Sequence, residues 1–519
     1  MEAKRTYWTV RDACRRFTQR GRDAAYVRSY ELGADDMRAW QSIVENLGLA
    51  VPADQVFARL RWCMTKTDLE NLLALLRFVQ QHLLAARGTP GGGILRSTQL
   101  PELPSRRRNI LFISGQFPNP LHGGGVRVAD FIKVMSRKHD VYLYAPCDRT
   151  RDHRAYLSLV PYCRKIRAAR LDDFGASRSI RELVAHTEMD VVHYEWPRSV
   201  ALYDPSWGRH HIYTYMEVVS LRLLRDAAHQ RPWSQAWLRT VVDLLNSLKA
   251  ELADTDAMDA HIVVAERDGE FLARFAPDRS FVVLNHGVNL EEYSVPDSPP
   301  EEQTIVFVGN YLHYPNEDAV RFFVEESFDY VARCLPGVRL YLVGANPTRR
   351  IRAYADGRRV FVTGTVADIR PWIQRASVCI APLVTGAGLR TKVIQYAALR
   401  RVCVATSIAA ADLLFKDGVD ILVADDPLQF AERVVYLLRH PEIARRMGQA
   451  AHRRVILEYD NSRLLEGLYR LHAGLERGGL RPREELHRDG ERALGVARRS
   501  MGGSVERTAL GGEEAKGSA

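Results

Sequence analysis

Cysteine is scarce in this 519-residue chain, and what there is does not pair. The seven cysteines, Cys14, Cys63, Cys147, Cys163, Cys334, Cys379 and Cys403, form no CxxC pair and are odd in number. That excludes a disulfide framework and a structural zinc site, and fits a reducing compartment. No run approaches 18 continuous apolar residues, so no transmembrane helix is expected. The start, MEAKRTYWTVRDACRR, lacks the apolar core of a signal peptide. Lysine is also rare, nine among 73 basic residues. A lysine at 392 is therefore not a routine surface choice. No Asp-x-Asp pair follows a strand; Asp425-Asp426 precedes Pro427 and reads as a helix cap. No metal and no cofactor are expected. The basic balance, net +10, lacks the aromatic interleaving of a nucleic-acid surface, so no nucleic-acid partner is expected.

What is present reads as a soluble globular protein of two or three domains, 46% apolar and 26% charged. Residues 1–87 read as a helical accessory region, with Asp68 to Leu84 at helical spacing and Asp68 as an N-cap. Residues 88–108, rich in Gly, Pro and Arg, read as a linker, with Arg106 to Arg108 a solvated edge. From 109 to 290 strands and helices alternate. The strands are NILFIS, DVYLYA, DVVHY, the stretch around Ile212 to Tyr215, Ala260 to Ala265, and Ser280 to Leu284, with one long helix over about Leu221 to Ala253. Residues 291–303 form a Pro-rich hinge. A second alternation fills 304–440, two helices close it over 441–476, and the remainder, 477–519, is too polar to order.

Candidate site residues come from the loops after strands. The segment from Gly115 to Gly125 follows the first strand, and Gly123, Gly124 and Gly125 either let the backbone approach a ligand or form a plain turn. The absence of GxGxxG and of an acidic residue ending the second strand excludes a nicotinamide dinucleotide site. In the second alternation, PLVTGAGLRTKVIQYAALRRVCVAT reads as strand end, glycine turn (Gly386, Ala387, Gly388, Leu389), helix and strand. Arg390 and Lys392 open that helix, where the dipole disfavours cations unless an anion joins them. Taken alone, the pair is better explained as a solvated surface.

Several motifs together resemble the GT-B glycosyltransferases of family 4. They are FVGN (Phe307 to Asn310), HYPN (His313 to Asn316), VGANP (Val343 to Pro347), VTG (Val362 to Gly364) and Gly388-x-Arg390-x-Lys392. The subgroup they resemble most is that of bacterial sugar transferases with a G-x-R-x-K turn. The resemblance covers roughly residues 109–475. It implies an α/β fold of two Rossmann-like doubly wound domains facing a cleft, plus the N-terminal helical extension and a disordered tail. It implies transfer of a sugar from a nucleotide-diphosphate donor to a glycan or other acceptor, with retention and without metal. Arg390 and Lys392 would hold the diphosphate. Gly309, Asn310, Gly344, Gly364, Thr365, Val366, Gly386, Ala387, Gly388, Leu389 and Gln395 would line the donor site, with Glu217 facing the cleft as a catalytic candidate beside Glu195. The resemblance implies a cytoplasmic protein, compatible with peripheral contact at the inner face of a membrane.

The chain departs from the family pattern at two points. The two glutamates many members carry fall at Ala387 and Gln395, and a customary histidine falls at Met216. A neutral Gln offers a ribose diol less than a carboxylate does. A catalytically weakened binding protein and a nucleotide-sugar epimerase of the same architecture therefore remain alternative readings.

Overall fold

A computed structural model describes residues 23–476, apart from positions 50, 83–92, 97–105, 120–122, 149, 151, 170–174, 286, 297 and 386–389. The tail 477–519 and the turn residues Gly386, Ala387, Gly388 and Leu389 lie outside the described residues.

Among the described residues, fourteen strands form two parallel sheets. The first holds β1 (Gly93–Arg96), β2 (Asn109–Ser114), β3 (Asp140–Pro146), β4 (Lys165–Ala169), β5 (Val191–Glu195), β6 (His210–Tyr215), β7 (Ala260–Val263) and β8 (Ser280–Val283). Their order is β1-β8-β7-β6-β5-β2-β3-β4. The second holds β9 (Thr304–Val308), β10 (Arg339–Val343), β11 (Val360–Gly364), β12 (Val378–Ala381), β13 (Cys403–Ala405) and β14 (Leu422–Val423), in the order β11-β10-β9-β12-β13-β14. Central strands such as Ile110-Leu111-Phe112-Ile113 are apolar at every position because helices cover both faces of a parallel sheet.

Each order reverses once. The chain runs outward from β2 to β3 and β4, then returns to place β5 on the other side of β2. The second sheet reverses likewise between β9 and β12. A crevice opens where neighbouring crossovers diverge, so ligands of such sheets sit at the carboxyl ends of those two strands.

Four local expectations need correction. Residues Gly93–Arg96, read as linker, pair in register with Ser280–Val283 and extend the first sheet. Arg108 is buried and ion-paired with Glu476 at 2.8 Å, not a solvated edge. The long helix over Leu221 to Ala253 is two helices, Val219–Ala228 and Gln235–Ala257, broken by a turn in which Trp233 takes a positive φ of 66°. Asp68 is not an N-cap. Thr65 precedes the helix Lys66–His82, and the two exchange bonds: Asp68 N–H donates to Thr65 Oγ1 (3.2 Å) and Thr65 N–H to Asp68 Oδ2 (2.7 Å).

The accessory helices do not stand apart. Trp40, Leu72 and Leu76 share one core with Leu244, Leu248 and Trp237 of the first alternation. The helix Asn461–Glu476 crosses back from the second domain and buries Leu468, Leu471 and Leu475 against β2 and its neighbours. Each of those leucines contributes roughly 2 kcal/mol by leaving water. This return fastens the two domains to each other.

Candidate active site

The carboxyl edges of both sheets face one cleft of about 1370 Å³. Glu217, Arg222, Arg225 and Arg267 line it from the first domain, His313, Thr385, Ser407 and Asp412 from the second. Arg225 reaches across to within 3.9 Å of Asp412, whose backbone is left-handed at φ 64°.

The second domain's wall is built from strand ends tied by backbone hydrogen bonds. Gly309 N–H donates to Val343 (3.0 Å), Tyr311 N–H to Ala345 (3.0 Å) and Gly344 N–H to Gly364 (3.3 Å). Gly344 must be glycine. Its φ is +143°, and a Cβ there would overlap the carbonyl oxygen of Gly309. The Asn310 carbonyl accepts from Asn316 Nδ2 (2.8 Å) and His313 N–H (3.1 Å), and its Oδ1 from Asn346 Nδ2 (3.1 Å) and Leu312 N–H (3.2 Å). Gly364 ends β11 with φ +70°, Thr365 beside it is exposed, and Val366 packs on the core.

The basic helix start is not a surface feature. Arg390 caps the helix Thr391–Ala398 and is only 9% exposed. Burial lowers its guanidinium to about 10, against the opposing pull of Glu217. Lys392 donates from Nζ to Asn316 Oδ1 at 2.6 Å and lies 4.1 Å from the Phe307 ring centroid. Loss of hydration, then the nearby Arg390, lowers its ammonium to about 7. Both cations stand at the β9/β12 reversal, where an anion would restore what burial removes.

The other candidates distribute unevenly. Gly123, Gly124 and Gly125 are the first turn of the helix Gly123–Met135 rather than a free loop. A Cβ on Gly125 would overlap Asn119 O, so the preceding segment packs directly on the helix start. Glu217 lies in the cleft but pairs with Arg222 Nε at 3.2 Å, which fits an electrostatic part better than that of a free base. Glu195 is wholly buried beside the first sheet's reversal. Gln395 lies near Tyr293, the last residue of the short helix Leu290–Tyr293 that leads into the hinge. Met216 is part of an apolar cluster.

Sequence reasoning missed Asn316 as the partner of Lys392, Asp268, Arg225 and Asp412. Asp268 is buried, its carboxyl raised to about 7 by desolvation and then by Asp412. Asn316 stood in the quoted HYPN run, and its position one turn into a helix after β9 was the available signal.

Residues 302–440 match the family model described as Glycosyl transferases group 1. No curated protein sequence matches the chain. Among solved structures, sucrose-phosphate synthase from Thermosynechococcus elongatus superposes with a TM-score of 0.53 at 17% identity, covering 72% of this chain and all of that one. HepE of Anabaena in complex with UDP-glucose superposes with a TM-score of 0.54 at 12% identity, covering 71% of this chain and all of that one. With its two parallel sheets and facing carboxyl edges, the chain therefore has the α/β architecture of the GT-B glycosyltransferases, and its second domain is similar in sequence to the group 1 glycosyl transferases.

Proposed function

We propose that the protein is a glycosyltransferase that moves a sugar from a nucleoside-diphosphate donor to a hydroxyl-bearing acceptor in the cleft between its two sheets. The observation that carries this reading is the placement of two cations, the buried Arg390 and the half-buried Lys392, at the β9/β12 reversal. They stabilise a departing diphosphate, and the tied strand ends of Gly309, Gly344 and Gly364 let the donor approach the backbone. The second-domain match to group 1 glycosyl transferases and the fold shared with a UDP-glucose-bound protein make UDP-sugars the first donors to test. Retention of configuration and metal independence belong to the same proposal, as do membership of family 4 and an acceptor in glycan assembly. So does a cytoplasmic location with peripheral membrane contact. Among the described residues no helix is long and apolar enough to cross a membrane.

Calorimetry of the full chain against UDP, GDP and ADP, with Arg390→Ala and Lys392→Ala as controls, tests the site. Binding that both variants retain undiminished would remove these residues from it. A second reading, a GT-B binding protein without turnover, is favoured by the neutral Gln395 where the family pattern has a carboxylate. Under it, nucleoside diphosphates bind but no UDP-sugar is consumed. An epimerase would instead interconvert the sugar with no acceptor present.

A further inference from the structure

The first sheet has its own reversal, between β2 and β5, and two charged side chains are buried there without full partners. Arg127, one turn into the helix Gly123–Met135, is 2% exposed. Among the described residues none offers an acceptor to its Nε or to either terminal nitrogen, and its guanidinium lies 4.6 Å from the Phe131 ring centroid. Glu195, the last residue of β5, is fully buried. Its Oε1 accepts from Thr214 Oγ1 at 3.0 Å, while Oε2 has no partner. The two attract each other, but no ion pair closes between them. A buried guanidinium with no acceptor costs several kcal/mol, so an arrangement that keeps one at a ligand-binding edge has a use for it.

The chemistry narrows the ligand. A phosphate would satisfy Arg127 and be repelled by Glu195. A hydroxyl group satisfies both at once, accepting from the guanidinium and donating to the carboxylate. We propose that Arg127 and Glu195 form a sugar-hydroxyl subsite at the β2/β5 reversal, which holds a vicinal diol of the acceptor opposite the donor site. The proposal rests on the glycosyltransferase reading above and assigns the acceptor side as a carbohydrate held by a cation–carboxylate pair.

The test titrates D-glucose, D-galactose, D-mannose and inorganic phosphate into the full chain, with and without saturating UDP, in the wild type, Arg127→Met and Glu195→Gln. At least one hexose should bind the wild type and bind each variant tenfold or more weakly, with UDP affinity changed less than twofold. Ligand-free Arg127→Met should melt at the same temperature as the wild type or higher, because it loses a buried charge and keeps its contact with Phe131. Binding of no hexose, hexose affinity unchanged in the variants, or phosphate binding that depends on Arg127 would each overturn the assignment. So would a fall of several degrees in the melting temperature of Arg127→Met, or failure of that variant to fold, since either shows a structural cation. Failure of UDP to bind the wild type would count against the donor site alone, because the hexose titrations are also run without it.

Discussion

Lys392 Nζ and Asn316 Oδ1 lie 2.6 Å apart and join the helix after β9 to the helix after β12, across the reversal of the second sheet. The bond fixes the ammonium where an incoming diphosphate would replace or share its partner. Lys392→Met should weaken UDP binding by roughly ten- to a hundredfold, the worth of one hydrogen bond to a charged group. Asn316→Ala should cost less, since it disturbs the position of the charge and not the charge. Calorimetry at pH 7 reads both.

The same ammonium gives donor binding a pH dependence. With Lys392 lowered to about 7 in the free protein, half the population is uncharged at that pH. An anion favours the charged form, so UDP affinity should fall as pH rises from 7 to 8.5, by up to about tenfold per unit. In Lys392→Met that slope should vanish. An unchanged slope in the variant would assign it to another group.

Gln395 stands on the helix Thr391–Ala398 where the family pattern has a carboxylate. Gln395→Glu should tighten UDP binding several-fold if the nucleotide ribose lies over this turn, because a carboxylate accepts both hydroxyls of the diol. Unchanged or weaker binding would place the ribose elsewhere.

Gly344→Ala should destabilise the protein by about 3 kcal/mol or more, since the new methyl meets Gly309 O at a φ few side chains adopt. Urea unfolding measures it. A Gly364→Ala change, with open space around its Cβ, should cost less, near the strain of φ +70° alone.

Two sets of buried groups oppose each other in the pH dependence of stability. His139 (about 4), His193 and His261 (about 3) and His472 (well below its ordinary value) are lowered by burial, so the unfolded chain binds protons there first and stability falls as pH drops below about 6.5. Glu195, Glu251 and Asp268, raised to about 7 by burial, act oppositely: the fold holds their protons, and stability falls as pH rises through 7. Lys392, lowered to about 7, acts with the histidines: the unfolded chain binds its proton more readily, so stability rises with pH above 7. Melting temperatures across pH 4.5 to 9 separate these sets: Glu195→Gln should lose less stability between pH 5 and 7, and Lys392→Met should lose the gain above pH 7.

Much of the fold was legible because parallel strands buried on both faces leave a plain trace. NILFIS and TIVFV are continuous apolar runs bounded by turn residues, and both are strands where they were read. Gly93–Arg96 was hidden, because four residues among glycine, proline and arginine become a strand only when Ser280–Val283 offers its edge. The site was half legible. Gly309, Gly344 and Gly364 could be named from their spacing after strands, whereas the burial of Arg390 could not.

The sequence by itself determined which segments alternate, where the glycines fall after strands, and that Gln395 and Met216 depart from the family pattern. These are local properties, set by backbone sterics and apolar period. Only the tertiary structure decided that Lys392 meets Asn316, that Arg108 is pinned by Glu476, and that Arg127 and Glu195 are buried together at one sheet's reversal. Those relations join residues dozens to hundreds of positions apart. Strand order and burial, which no local pattern encodes, turn their charges from solvated groups into a site.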